Sequence, residues 1–168
     1  MRSVETKYFG TLPYAEESVF QFAGGLPAFE DEKAFVLIET AQSAPLVFLQ
    51  SLTRANLCFL AFPIQVVDRE YALAIAPEDL EALDLETGRQ PVLGSEVVVL
   101  ALISLDDEFV ATANLMAPVV LNVKTRRGLQ AIRRDRLYSH QHAIPQRLEV
   151  ASGSLEAQEQ PGKREQPC

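Results

Sequence analysis

Tryptophan is absent, cysteine and histidine occur only twice each, and no apolar stretch is long. Each shortage removes a class of protein. The longest proline-free apolar run, Val97–Ile103, has seven residues, far below the roughly 20 that a membrane-spanning helix needs. Two cysteines do not make a disulfide framework. Cys58 lies in the apolar run LCFLAF and reads as a small core hydrophobe, while Cys168 is the last residue. Arg2, Glu5 and Lys7 interrupt any apolar signal at the N-terminus, so the expected compartment is the cytosol. His140 and His142 could offer two zinc ligands, where a catalytic site wants three and a structural site four. Neither a G-x-S-x-G elbow, a P-loop nor a G-x-G-x-x-G run occurs. Adjacent carboxylates such as Glu16/Glu17 and Asp106/Asp107 would point to opposite faces of a strand. The expectation is a protein without catalysis, metal or cofactor.

What remains is an ordinary apolar fraction of 48% and a strongly uneven charge. Residues 1–110 hold 6 basic and 18 acidic side chains, a balance of −12. Residues 111–150 hold 7 and 2, a balance of +5, within an overall −8. An acidic body of this kind is expected either to repel nucleic acid and attract basic protein surfaces or simply to keep the protein soluble.

Apolar or alternating runs recur along the chain: Val4–Phe9, Val19–Phe22, Phe35–Ile38, Leu46–Leu49, Leu57–Phe62, Tyr71–Ile75, Val97–Leu105, Phe109–Met116, Val119–Val123 and Leu129–Ile132. Gly, Pro, Asn and Asp separate them at the spacing of an all-β sandwich or barrel. Leu105–Glu108 reads as a hairpin turn, with acidic residues that are normal turn chemistry. One helix is expected, in PEDLEALDL, where Pro77 suits the first helical position and Glu78 and Asp79 its positive end. Leu80, Leu83 and Ile75 would form its inward stripe. The fold class is therefore mostly β: a small antiparallel β-barrel-like domain over residues 1–145 with one short helix. A polar tail over residues 146–168 carries too little apolar surface to order itself and is expected to be disordered.

The most informative segment is ATANLMAPVVLNVKTRRGLQAI, residues 111–132. It alternates like buried sheet yet contains Asn114, Asn122 and Pro118. A proline cannot donate to a ladder, so Pro118 marks an edge, a bulge or a strand start. Arg126, Arg127 and Gly128 read as a turn reversing the chain. The basic run 124–136, with Arg126, Arg127, Arg133, Arg134, Arg136 and nearby Tyr138, supports an alternative, an RNA-binding barrel.

Several ordered blocks resemble the FliW-type flagellar assembly factors: TKYFG at 6–10, GGLPAFEDEKAFVL at 24–37 with Ala28 where glycine is usual, FLQS at 48–51, TANLMAPVVLNVKTRRGLQAI at 112–132 and YSHQHAI at 138–144. The resemblance implies a non-enzymatic cytoplasmic protein, with a small antiparallel barrel-like fold and two partners. These are flagellin and the RNA-binding translational regulator CsrA. Binding CsrA would relieve its repression of flagellin translation, and new flagellin would compete for the factor. On that implication the candidate contacts are Asn114, Met116, Pro118, Asn122 and Lys124, together with the acidic Asp68, Glu70, Asp106 and Asp107. A monomer is expected.

Overall fold

Turn-forming residues cut the chain into short extended segments, which the computed structural model, describing residues 1–145, pairs antiparallel. The expected tail over 146–168 lies outside the described residues. A first hairpin joins β1 (Arg2–Thr6) to β2 (Gly10–Tyr14). The main sheet is built from β3 (Val19–Gln21), β4 (Ala34–Glu39), β5 (Val47–Ser51), β6 (Cys58–Pro63), β7 (Val97–Leu105), β8 (Ala111–Asn122), β9 (Gly128–Gln130) and β10 (His142–Ala143). Its order is β10-β8-β7-β6-β5-β4-β3, with β9 also on β8.

Packing shows that this sheet curls round on itself. β3 and β4 lie far from β8 in the strand order, yet Phe20, Phe22 and Phe35 share one buried cluster with Val119 and Leu121. At the seam the Gln21 N–H donates to the Arg126 carbonyl at 2.7 Å. Gly128 lets the two sides meet, because a Cβ there would lie 2.7 Å from the Phe22 ring and 2.8 Å from Leu121. The result is the nearly closed antiparallel barrel that the alternation implied.

A second cluster covers the other face. Phe48, Val97, Val99, Ala113 and Val120 pack against Ile64, Val67, Tyr71, Ile75, Leu80 and Leu83 from the connection between β6 and β7. That connection contains two helices, α1 (Ile64–Val67) and α2 (Pro77–Ala82), where one was expected. α2 matches the sequence reading: Pro77 stands in its first turn, Glu78 and Asp79 follow, and Ile75, Leu80 and Leu83 are buried. α1 was hidden because IQVV continues an apolar run and carries no cap of its own.

Three further expectations are corrected. Tyr71–Ile75 makes no strand; Gln90 takes the place of a neighbouring strand, accepting from the Ile75 N–H at 2.8 Å and donating to its carbonyl at 3.1 Å. Val4–Phe9 is a strand only to Thr6, whose hydroxyl accepts from the Phe9 N–H and donates to the Gly10 carbonyl, turning the chain into β2. Phe109–Met116 and Val119–Val123 belong to a single strand, β8, with Phe109, Val110 and Val123 outside it.

β8 stays continuous by means of a large bulge. From Leu100 to Leu102, β7 advances two residues while β8 runs from Val119 back to Asn114, five residues, so three are surplus. An odd surplus reverses the alternation. Ala111 and Ala113 face the helix-covered cluster before the bulge; beyond it Val120 does, while Val119 and Leu121 face the barrel interior. Pro118 sits in this bulge, one of the three positions open to it.

Candidate partner-docking surface

A bulge exposes backbone groups that must find partners, and here every one does. The Asn114 side-chain oxygen accepts from the N–H groups of Met116 and Ala117 at 3.1 and 3.0 Å. The Leu115 N–H donates to the Ser139 carbonyl at 3.0 Å. Among the carbonyls, Leu115 accepts from the Tyr71 hydroxyl, Met116 from the Arg133 N–H, Ala117 from the Gln130 amide and Pro118 from the Ala131 N–H, at 2.8–2.9 Å. Residues 128–133 thus continue as a brace along β8, leave it after Arg133 and rejoin at Ser139.

Arg133 holds that departure in place. Only 5% of it is exposed, and its guanidinium lies 5.3 Å from the Tyr71 ring centre and 4.7 Å from that of Tyr138. It pairs with both oxygens of Asp135 at 2.9 Å and donates to the Tyr71 hydroxyl and the Ala72 carbonyl at 3.1 and 2.7 Å. Burial works against its charge, but the Asp135 and Tyr71 bonds prevail and keep its pKa raised. The same pair lowers the Asp135 carboxyl, with the Arg133 hydrogen bond the main cause. Burial pushes the Tyr71 phenol up, against the pull of Arg133.

The basic run is accordingly dispersed. Arg133 is interior, Arg134 pairs with Glu78 of α2, and Arg126 lies over the Phe20 ring at 5.0 Å. Arg127 and Arg136 are exposed. Burial takes Arg133 out of reach of any phosphate, a correction to the RNA-binding alternative.

The nine sequence candidates fall into three places. Asn114, Met116 and Pro118 share the bulge, and the Asp68–Glu70 turn lies beside it because the neighbouring Tyr71 bonds to Leu115. Asn114 and Met116 are half-buried; Pro118 is buried, so it shapes the bulge and offers no contact. Asp68 accepts from the Glu70 N–H, while the Glu70 side chain is exposed. Asn122 is 3% exposed and also unavailable. Its amide donates to the Leu83 carbonyl at 2.8 Å and accepts from the N–H groups of Lys124 and Thr125, building the β8–β9 turn. Lys124 is exposed beside a polar cleft of about 330 Å³ lined also by Glu86, Arg89, Glu96 and Thr125. Arg89 is engaged by Glu86 and Glu96 at 2.6–2.9 Å, and Arg89 with the Val92 N–H holds Glu96 down at about 2. Within the cleft Arg89, Glu86 and Glu96 thus satisfy one another.

The third place is the turn between β7 and β8. Asp106 builds it, accepting from the N–H groups of Glu108 and Val110 at 2.9 and 2.8 Å. Asp107 and Glu108 face solvent, beside Leu105, Phe109 (51% exposed) and Val110 (54%). Sequence reasoning placed Phe109 in a strand and missed its exposure. The available signal was its position directly after D-D-E, where a four-residue turn has to end. Among the described residues, no three His, Cys, Asp or Glu side chains gather as a metal would need, and no helix is long and apolar enough to cross a membrane.

Comparison with known proteins agrees with this architecture over nearly the whole described chain. The family model described as FliW protein matches residues 3–144. The flagellar assembly factor FliW of Syntrophomonas wolfei is 33% identical over 163 residues, covering 95% of this chain and 99% of that protein. Its namesake in Bacillus subtilis is 30% identical over 142 residues, covering 84% and 95%. A crystal structure of the flagellar assembly factor FliW superposes with a TM-score of 0.74 at 29% identity, covering 86% of this chain and 99% of that one. This chain belongs to the FliW family of flagellar assembly factors.

Proposed function

We propose that this chain is a non-enzymatic cytoplasmic regulator that binds two proteins in turn, the translational regulator CsrA and flagellin. Bound to CsrA, it relieves the repression of flagellin translation. Flagellin accumulating ahead of export takes the factor away and restores repression, so that synthesis follows assembly. The observation that carries this reading is the whole-chain likeness to flagellar assembly factors, joined to an acidic body with a balance of −12 over residues 1–110. A protein that holds RNA must present basic surface, and an acidic scaffold is drawn to it over a Debye length of about 8 Å at physiological salt. The exposed acids available for that encounter include Glu70, Asp107 and Glu108. The bulge, with Asn114 and Met116 half-buried at its surface, is a second candidate contact, and Lys124 a third at the far end of β8.

Size-exclusion chromatography and titration calorimetry test the reading. The purified chain is expected to co-elute with CsrA, to bind more weakly as salt is raised, and to release CsrA when flagellin is added. Absence of both heat and co-elution with either protein would overturn it.

A further inference from the structure

We propose that the β7–β8 hairpin end is a docking finger whose occupant is a basic protein surface with an apolar hollow. The inference rests on the function proposed above, and it assigns this end to the contact with CsrA, the partner whose chemistry requires basic surface.

Two features of the hairpin end support it. Leu105, Phe109 and Val110 expose 40%, 51% and 54% of their area at one end of the barrel. Exposed apolar residues beside charged ones at one hairpin end offer a contact to a partner. Here the charged residues are acidic: Asp107 and Glu108 are exposed and make no ion pair among the described residues. The other exposed apolar pair near charge, Ile132 and Leu137, stands beside Arg134 and Arg136, which a basic partner would repel. Charge therefore selects the hairpin end for this partner.

The backbone also sets Phe109 apart. Its φ is +62°, a region that bulky side chains rarely adopt and glycine enters freely. Asp106 fixes this conformation from both sides, its carbonyl accepting from the Phe109 N–H at 3.0 Å and its N–H donating to the Val110 carbonyl at 3.1 Å. The aromatic ring is thus displayed on a rigid turn, and little ordering remains to be done when a partner closes on it.

Phe109→Gly removes the ring at a backbone conformation that glycine adopts without strain. Full-length wild type, Phe109→Gly and the charge-reversed pair Asp107→Lys/Glu108→Lys are titrated with purified CsrA and with flagellin at two salt concentrations. Phe109→Gly is expected to stay folded by circular dichroism yet to bind CsrA at least tenfold more weakly, chiefly through faster dissociation. The charge-reversed pair is expected to associate more slowly and to lose most of its salt dependence. Flagellin affinity is expected to stay within twofold in both variants. Wild-type affinity of both variants for CsrA, or equal losses for both partners, would overturn the assignment alone. A wild-type chain that binds neither protein would overturn the proposed function and this assignment with it.

Discussion

The carboxylate of Glu32 accepts a hydrogen bond from the Ser51 hydroxyl at 2.7 Å, across 19 residues of sequence. Thr53 donates to the same oxygen, and Arg54 reaches the other at 3.1 Å. Glu32 is 6% exposed, so this cluster ties the Gly24–Lys33 loop to the end of β5. The blocks GLPAFEDE and FLQS, which carried much of the family resemblance, meet here, and the meeting is a fold lock.

Acid should loosen that lock. The Thr53 and Ser51 bonds lower the Glu32 carboxyl against the opposing effect of burial, with Arg54 assisting. A depressed folded-state pKa contributes stability that is full above the unfolded value and is lost as pH falls through the folded one. Urea midpoints measured from pH 7 down to pH 3 should therefore decline more steeply in wild type than in Glu32→Gln. At neutral pH Glu32→Ala, which removes the acceptor of the Ser51 and Thr53 hydroxyl protons and the partner of Arg54, should cost about 1–3 kcal/mol.

Ala28 should yield stability when replaced. Its φ is +70°, and an alanine there carries steric strain that glycine does not. Ala28→Gly is expected to gain about 0.5–1 kcal/mol in denaturant unfolding. Gly25 should behave oppositely: a Cβ there would lie 2.6 Å from the Glu30 backbone, at a φ of +66°. Gly25→Ala should lower the urea midpoint, because backbone cannot step aside as a side chain can.

The barrel seam offers a coupled pair. Gly128→Ala should cost about 1–3 kcal/mol by forcing the Phe22 ring away. Combining it with Phe22→Leu should cost less than the sum of the two single changes, since the smaller side chain makes room. Additivity in that double-mutant cycle would mean the two residues do not press on one another.

Arg133 and Arg136 look alike in sequence and should differ sharply. Arg133→Met leaves the part-exposed Asp135 carboxylate without its partner and takes one donor from the Tyr71 hydroxyl, which keeps its bond to the Leu115 carbonyl, so it should lower stability measurably. Arg133→Lys keeps the charge but loses the forked geometry and the stacking on two rings, and should fall between. Arg136→Ala, at an exposed position, should stay within about 0.5 kcal/mol. Chemical unfolding of the three variants checks the order.

Local pattern carried the sequence reading as far as pattern reaches. β7 is legible to the residue, because Val97–Leu105 alternates between two clusters and ends at a turn whose acidic residues close it. Pro118 narrowed its site to an edge, a bulge or a strand start by its missing donor. The chain reversal after Asn122 was legible in composition, though it falls at residues 123–125, ahead of the expected Arg126, Arg127 and Gly128, and Gly128 already belongs to β9. What escaped depends on distant partners. Tyr71–Ile75 looks like strand, but its hydrogen-bonding neighbour is the Gln90 side chain, 15 residues on. Arg133 looks solvated until Tyr71, 62 residues earlier in the chain, is placed against it. Candidate contacts were the least legible: Asn122 and Pro118 were singled out as unusual and proved to shape the backbone. Phe109 was passed over because an apolar residue before a strand reads as part of it.

The three surplus residues of β8 bear on how this scaffold tolerates length changes. Because the surplus is odd, the halves of β8 on either side of Leu115–Pro118 point their core residues in step with β7. Deleting one residue, Ala117 for example, would turn half of the longest strand inside out, driving Val119 and Leu121 from the barrel interior. Removing or adding two would leave every neighbour facing its proper side.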